Sequence, residues 1–490
     1  MRIGMQALCP AVSLAILLVS SSPVRGDEKS DSSAPAVDEV FLDFAKPDSP
    51  GCSLAVARDG RLLYEKSYGM ANLELEVPLS PSSVFDIGST SKQFTAASIL
   101  FLERQGKLSV ADDIRKYVPE LPDYGKPITI LNLLNHTSGL RDYLVLFELA
   151  GENVDSVTTD EEALALIARQ KSLNFDPGAE WLYSNTGYFL LSVIVKRVSG
   201  KSLRDFAAEN IFQPLDMTHT QYRDTHTSLI PNRALAYDPV EKGQGYTLDV
   251  SYFEQTGDGA VHTTVGDLLK WDENFYSGKV GGVDFLAEMQ QTGTLSSGKH
   301  LEYAKGLSVS SYRGLRTVRH GGSWGGYRAE LLRFPDQHFS VVCLCNRSDG
   351  SPSRRANQVA EIYLRSLMKE KPPKKDADDK DSKSRAEISV PSAALAAFAG
   401  DYSSDELGVT YRLTVTNGKL TVAAILAAGI PRSNDLVGEQ IVPVAKDEFE
   451  LIVDDPPINL KFTRDAAGHP TSFALDAGRT TGVTFVRQVR

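Results

Sequence analysis

The period of apolar and polar positions changes several times along the chain, and each change marks an element. Residues Ala7–Val19 form an apolar run, with Arg2 ahead of it and small or polar residues behind it up to Gly26. A cation, a short apolar core and a small-residue end are the parts of a secretory signal peptide, with cleavage expected after Val24-Arg25-Gly26. The run is short for a bilayer span, and Cys9 inside it lacks a lipobox-like context. The competing reading is an uncleaved anchor. The expectation is an exported, soluble protein, secreted or periplasmic, with no transmembrane anchor once residues 1–26 are removed.

Beyond the leader, Val37–Ala45 reads as a helix. Ser53–Ala57 and Leu62–Tyr68 read as strands on either side of Asp59-Gly60, a pair suited to a type I′ hairpin turn. From Thr90 to Gln105 the apolar positions recur at helical spacing, with Phe94, Ala97, Leu100 and Phe101 on one side and Gly106 as the stop. Glu161–Arg169 and Tyr188–Val198 read as helices. Gly306–Tyr312, Arg328–Phe334 and Phe339–Cys345 read as strands. Strands at both ends with helices between predict an α+β domain whose sheet is closed by its two termini.

The pattern then breaks. Lys369–Glu387 carries seven basic and six acidic residues and has no apolar run. Such a segment cannot bury apolar area and is expected to be a solvated linker. After it, Val409–Val415 and Lys419–Ala423 flank Asn417-Gly418 as a hairpin. Gln440–Val444, Phe449–Val453, Asn459–Thr463, Thr471–Leu475 and Val483–Arg487 follow as short strands, the signature of a small all-β barrel. The expected division is a leader (1–26), a catalytic region (27–368), a linker (369–387) and a β-domain (388–490). No catalytic cluster is visible in the β-domain, and deletion from Lys369 onward is expected to leave a folded enzyme.

Composition narrows the classes. The 490 residues are 42% hydrophobic and 23% charged, which excludes collagenous, disordered and disulfide-scaffold chains. Residues 1–26 hold two arginines and no acid, so their removal takes the net charge from −11 to −13. That balance argues against nucleic acid and anionic lipid as partners. Three cysteines remain, Cys52, Cys343 and Cys345. They could form one bridge with a spare thiol or stay as three thiols. The eight histidines show no ligand spacing, so no metal and no cofactor is expected.

Ser89 lies in Phe85-Asp86-Ile87-Gly88-Ser89-Thr90-Ser91-Lys92, where the chain turns into a helix. There its hydroxyl would face unpaired backbone N–H groups. A serine needs an adjacent base to attack a carbonyl, and Lys92, one turn on, can supply it if burial lowers its pKa. The alternative is a cap beside a solvated charge; Ser296-Ser297-Gly298-Lys299 matches the same spacing in a polar loop. Tyr183-Ser184-Asn185 follows a turn at Asp176-Pro177-Gly178. Its phenol could serve as a base beside a cation, and the Asn185 amide could meet a substrate carbonyl. His320-Gly321-Gly322-Ser323 follows a strand. Its glycines would admit a substrate to the backbone, and the amides of Ser89 and Ser323 could form an oxyanion hole. His136-Thr137-Ser138 is a competing site, read as a turn after the helix Thr129–Asn135 and lacking an assigned acid.

In order, Ser89-x-x-Lys92, Tyr183-x-Asn185 and His320-x-Gly322 resemble the β-lactamase-related serine hydrolases: class C β-lactamases, DD-carboxypeptidases, D-aminopeptidases and esterases of that fold, peptidase S12-like. GCSLAVARDGRLLYEKSYGMANLE, ITILNLLNHTSGL and FDPGAEWLYSNTGYFLL look like this family too, and the likeness covers residues 38–366. It implies an α/β sandwich, with a mainly antiparallel sheet, an inserted helical domain and the active site between them. It also implies an acyl-serine intermediate on Ser89, with Tyr183 and Lys92 assisting; which of the two takes the first proton stays open. Asn185, His320, Gly322 and Ser323 would bind substrate or oxyanion. Where β-lactamases carry Lys-Thr-Gly this chain has His320-Gly321-Gly322, which favours a small ester, an amide or a peptide with a free D-amino end over a penicillin. The alternative is a non-turnover protein that binds penicillin or cell-wall pieces, with the β-domain holding a partner or glycan. If a bridge forms, Cys52 at one end of the sheet would pair with Cys343 or Cys345 at the other.

Overall fold

The computed structural model describes residues 32–152, 156–240, 245–370, 387–432, 434–453 and 457–488. The expected leader and nearly all of the expected linker lie outside the described residues. Among the described residues no helix is long and apolar enough to cross a membrane.

The catalytic region is built on helix α1 (Ala34–Val40), strands β1 (Cys52–Arg58) and β2 (Arg61–Tyr68), and helices α2 (Lys92–Arg104), α3 (Ile130–Leu134), α4 (Tyr143–Leu149), α5 (Asp160–Ala168), α6 (Asn185–Ser199) and α7 (Val265–Ser277). Strands β3 (Ser308–Tyr312), β4 (Leu315–Trp324), β5 (Tyr327–Phe334) and β6 (Phe339–Cys345) and helix α8 (Pro352–Leu364) complete it. Six strands form one antiparallel sheet in the order β3-β4-β5-β6-β1-β2. The first hairpin therefore closes against the last, as the two strand-like ends predict. Asp59 and Gly60 both have positive φ, 53° and 70°, as a type I′ turn requires.

The neighbouring interior strands β6 and β1 are buried on both faces, which explains their unbroken apolar text. One face, with Leu54, Val56, Leu332 and Val341, packs on Val37, Phe41, Val359 and Leu364 of the terminal helices. The other packs on the interior helices. There α2 departs from the one-sided stripe read in its sequence. Thr95, Ala96 and Ser98 are as buried as Phe94 and Leu100, because small side chains let neighbours approach from several sides. The register pairs Cys52 with Cys345, and these two form a disulfide; Cys343 is a buried free thiol.

The C-terminal region is a barrel of β7 (Gly400–Ser404), β8 (Val409–Thr416), β9 (Lys419–Ala427), β10 (Ile430–Arg432), β11 (Gln440–Ala445), β12 (Glu448–Leu451), β13 (Ile458–Arg464), β14 (Pro470–Ala477) and β15 (Thr480–Arg487). The order β8-β7-β15-β14-β13-β12-β11-β9 closes through a β8–β9 pairing, with β10 appended to β9. Phe398, Tyr402, Phe449, Phe462 and Phe473 pack ring against ring inside it. Strands β7 and β10 go beyond those read in the sequence.

The barrel does not hang from a linker as a separate body. Its buried residues belong to the same apolar core as the helices of the catalytic region. Arg141 and Glu406 form an ion pair of 2.6 Å across the interface, with side chains 0% and 4% exposed. Tyr411 donates to the Leu149 carbonyl at 2.7 Å, and Gln170 donates to that of Glu406 at 3.0 Å.

Candidate active site

Ser89 sits in a single 3₁₀ turn, Gly88–Ser91, just ahead of α2 rather than within it. At three residues per turn, positions i and i+3 eclipse, so Lys92 lies directly over Ser89. The turn is pinned on both sides. Gly88 N–H donates to Asp86 Oδ1 at 2.8 Å, Ile87 N–H to the Val261 carbonyl at 2.9 Å, and Val261 N–H to Ser91 Oγ at 3.1 Å.

Lys92 is fully buried and makes three contacts: Asp258 O at 2.6 Å, Asn185 Oδ1 at 2.9 Å and Ser89 Oγ at 3.1 Å. Two of these are carbonyl oxygens, which can only accept. A neutral amine would give its two N–H bonds to them and present its lone pair to the one partner with a proton to lose, the Ser89 hydroxyl. Burial pushes the Lys92 pKa down to about 7, against the pull of Asp258 and Asp142 and with the help of Arg479.

Tyr183 joins the same place. Its hydroxyl is shielded from solvent and, among the described residues, has no hydrogen-bond partner within bonding geometry, and Lys92 Nζ is 4.9 Å from its ring centre. Burial raises its pKa above the usual phenol value; Ser89 and Arg479 pull the other way and do not prevail. The phenolate anticipated beside a cation is therefore disfavoured, and burial favours the protonated phenol.

Asn185 is turned to Lys92 by its carbonyl oxygen, while its backbone N–H donates to Asp142 Oδ2 at 2.7 Å. Asp142 also caps α4. His136 is buried and held neutral, its pKa driven far down by desolvation and by Lys92. Its Nδ1 accepts from the Ser184 N–H at 3.2 Å, and its ring lies 4.2 Å from that of Tyr183. It braces the Tyr183 loop, and Ser296–Lys299 stays in an exposed loop.

The His320-Gly321-Gly322-Ser323 segment lies within β4, which runs on to Trp324. The Gly322 backbone is approached by the serine turn rather than left open to substrate. A Cβ at Gly322 would lie 1.8 Å from the Ile87 carbonyl oxygen, and one at Gly88 2.8 Å from Ser323 N. Close contact of β4 with the turn sets Ser89 and Ser323 on one cavity of 320 Å³, which Tyr183 and Asn185 also line. His320 lies behind it, with Nδ1 2.6 Å from the Gly321 carbonyl oxygen and Nε2 3.0 Å from the Tyr303 hydroxyl. Desolvation lowers its pKa to about 4. We expect Gly322→Ala to lower kcat/KM by about 100-fold, because a shift near 1 Å between the turn and Ser323 misplaces the reacting groups. Steady-state kinetics beside a melting curve will separate that loss from unfolding.

Sequence reasoning missed Asp142, Asp258 and Arg479. Arg479 comes from the β14–β15 turn of the barrel, and its Nε is 3.2 Å from Asp142 Oδ2. The β-domain, whose sequence shows no catalytic cluster, thus supplies part of the cavity wall.

The family model described as Beta-lactamase matches residues 37–364. The chain is 29% identical over 395 residues to penicillin-binding protein 4* of Bacillus subtilis, covering 75% of this chain and 82% of that one. It is 27% identical over 448 residues to a D-aminopeptidase of Brucella anthropi, covering 87% and 80%. The octameric penicillin-binding protein homologue from Pyrococcus abyssi superposes with a TM-score of 0.61 at 23% identity, over 93% of this chain and all (100%) of that one. With more than half its length matched by the family model, and with Ser89 and Tyr183 on one cavity and Lys92 buried against Ser89, the chain belongs to the beta-lactamase family.

Proposed function

We propose that the protein is an exported serine hydrolase that cleaves small esters, amides or D-amino-acid peptides through an acyl-Ser89 intermediate. The observation that carries this reading is the 3.1 Å contact between Ser89 Oγ and a buried Lys92 whose other partners are fixed acceptors. Lys92 takes the Ser89 proton as Oγ attacks the carbonyl carbon. The oxyanion is received by the Ser89 and Ser323 amides, a kind of donor worth about 3–4 kcal/mol each. Tyr183, kept as a phenol by burial, hands its proton to the leaving group. Water then enters and loses a proton to the Tyr183 phenolate, or to Lys92 once the ammonium has reprotonated that phenolate; the water oxygen attacks the acyl carbon, and the proton held on Lys92 or Tyr183 returns to Ser89 Oγ as the acid leaves. The leader-like pattern of residues 1–26 supports export.

Because Lys92 must be neutral to act, kcat/KM is expected to rise through a pKa of about 7 and level off above it. A profile flat from pH 5 to 8 would contradict the assignment of the base. The substrate class is tested with a short-chain nitrophenyl ester, a D-alanyl amide, a D-Ala-D-Ala peptide and a chromogenic cephalosporin, each against wild type and Ser89→Ala. The first two are expected to turn over in wild type alone. The cephalosporin is expected to turn over poorly, since a neutral His320 stands where the β-lactamases carry a cation. Rapid cephalosporin turnover, or esterase activity surviving Ser89→Ala, would contradict the reading.

A further inference from the structure

Lys92 does not meet Ser89 unaided. Its shortest contact, 2.6 Å, is to the backbone carbonyl of Asp258, and Asp258 lines the cavity. The segment that carries Asp258 is pinned along its length. Thr95, one turn after Lys92 on α2, donates from Oγ1 to the Gly257 carbonyl at 2.7 Å. A Cβ at Gly257 would lie 2.4 Å from the Tyr188 carbonyl oxygen, so the segment is pressed against α6. The Arg223 N–H donates to the Ala260 carbonyl at 2.8 Å, and Val261 is bound on both its polar groups by the serine turn. The Asp258 carbonyl therefore meets the Lys92 amine at a point set by the backbone.

The carboxyl group of Asp258 is held as firmly. Its Oδ2 accepts from the buried Tyr143 hydroxyl at 3.0 Å, and the Tyr143 N–H donates to Thr186 Oγ1 at 2.8 Å. Burial raises the Asp258 pKa; Lys92 and the Tyr143 hydroxyl pull it back, and Asp142 opposes them. The other groups around the pair are already matched or neutral. Asp142 Oδ2 is 3.2 Å from Arg479 Nε, and that guanidinium stands 5.6 Å from the Tyr183 ring centre. Asp86 and Arg223, on the same cavity, carry opposite charges; Asp86 Oδ1 accepts from the Gly88 N–H at 2.8 Å, and Arg223 donates to the Ser251 carbonyl at 2.8 Å. Burial holds His136 and His320 neutral and keeps Tyr183 and Tyr188 as phenols. With Lys92 as an amine, the group of Lys92, Asp258, Asp142 and Arg479 is left with one uncompensated anion. With Lys92 as an ammonium the group is balanced. A charge that develops in a desolvated site is stabilised by a fixed opposite charge far more than in water.

We infer that Asp258 is a positioning residue of the reaction: its carbonyl aims the Lys92 amine at Ser89, and its carboxylate stabilises the ammonium that forms as Lys92 takes the Ser89 proton. The inference rests on the reading of Ser89 and Lys92 as nucleophile and base. It deepens that reading by naming the group that sets the strength of the base. Without the anion the lysine is still aimed, but it gives up its proton at a lower pH and accepts one less readily.

The test is the pH dependence of phosphonylation by a fluorophosphonate, read as a second-order rate constant on the full-length protein between pH 5 and 9. In this reaction Ser89 Oγ bonds to phosphorus, fluoride leaves, and the Ser89 proton passes to Lys92. The reagent has no group that titrates in this range, so the profile belongs to the protein. Wild type is compared with Asp258→Asn, Asp258→Glu and Tyr143→Phe. The Asn variant keeps the backbone carbonyl and an acceptor for Tyr143, and loses the charge. In wild type the rate is expected to rise through a pKa of about 7. In Asp258→Asn the rise is expected to move down by about one pH unit and the plateau to fall by about three- to tenfold. Asp258→Glu restores the charge and is expected to bring the rise back toward its wild-type position. A rise that stays in place in Asp258→Asn, or moves to higher pH, would overturn the inference whatever happens to the plateau. If Asp258→Asn does not fold, Tyr143→Phe decides. Loss of the hydroxyl donor leaves less of Asp258 as the anion, so the rise is expected to move down by a smaller amount, and an unmoved rise counts against the inference. A wild type that is not labelled at Ser89 sinks the hydrolase reading and this inference with it; labelling with an unmoved rise sinks this inference alone.

Discussion

Lys92→Met is expected to lower kcat/KM by about 10³-fold or more, as loss of the base from a nucleophile–base pair does elsewhere. Methionine nearly preserves the volume of the buried side chain and cannot take a proton. It also removes the donor to Asn185 Oδ1 and to the Asp258 carbonyl, a cost of about 1–3 kcal/mol for each acceptor left unpaired. Against that, a desolvated amine is replaced by an apolar group that prefers the interior. The melting temperature is therefore expected to fall by a few degrees while activity nearly disappears. Tyr183→Phe is expected to cost less, about 10²-fold, because it removes a proton donor and leaves the base in place. If Tyr183→Phe proves the more damaging of the two under the same assay, the order of proton transfer is reversed.

Glu406→Ala carries the largest expected effect on stability. The carboxylate takes Arg141 Nη1 at 2.6 Å, the Lys171 N–H at 2.8 Å and the Thr484 N–H at 3.3 Å, and the Arg141 side chain is 0% exposed. Truncating it strands a buried guanidinium, at a cost of about 3–5 kcal/mol. In a chain of this size that is a fall in melting temperature of about 3–5 °C. Glu406→Gln, which keeps the size and one acceptor, is expected to lose less. Deletion of the barrel uncovers the apolar surface around Leu149 and Leu166 that joins the common core, so the truncated protein is expected to be insoluble. This reverses the expectation from the charged segment at Lys369–Glu387. A soluble, active fragment ending near residue 368 would show that the interface contributes little.

The elements read most clearly from the chain were those whose own text decides them. Asp59-Gly60 and Asn417-Gly418 force their hairpins, and the apolar runs of β1 and β6 report burial on both faces. The strand β7, Gly-Asp-Tyr-Ser-Ser, has no alternating pattern and is held by its neighbours β8 and β15. The glycines of β4 read locally as a break after Arg319. The reason for Gly322 lies at Ile87, whose carbonyl oxygen stands 1.8 Å from where a Cβ would be and leaves no room for one. Ser89, Lys92 and Tyr183 were legible because spacing and local turns place them. Asp142, Asp258 and Arg479 have no local signature. Asp142 reads as a helix cap, Asp258 as a loop acid and Arg479 as a turn residue; only the docking of the barrel brings Arg479 to Tyr183. The pairing of Cys52 with Cys345 rather than Cys343 follows from strand register, which spacing does not set.

The central claim is that Ser89 is the nucleophile. Labelling of the full-length protein with a fluorophosphonate, followed by peptide mapping, tests it most directly, since the adduct does not turn over. The account predicts one adduct per chain, on the peptide holding Ser89, and none in Ser89→Ala. An adduct on another serine, such as Ser296, or undiminished labelling of Ser89→Ala would contradict it.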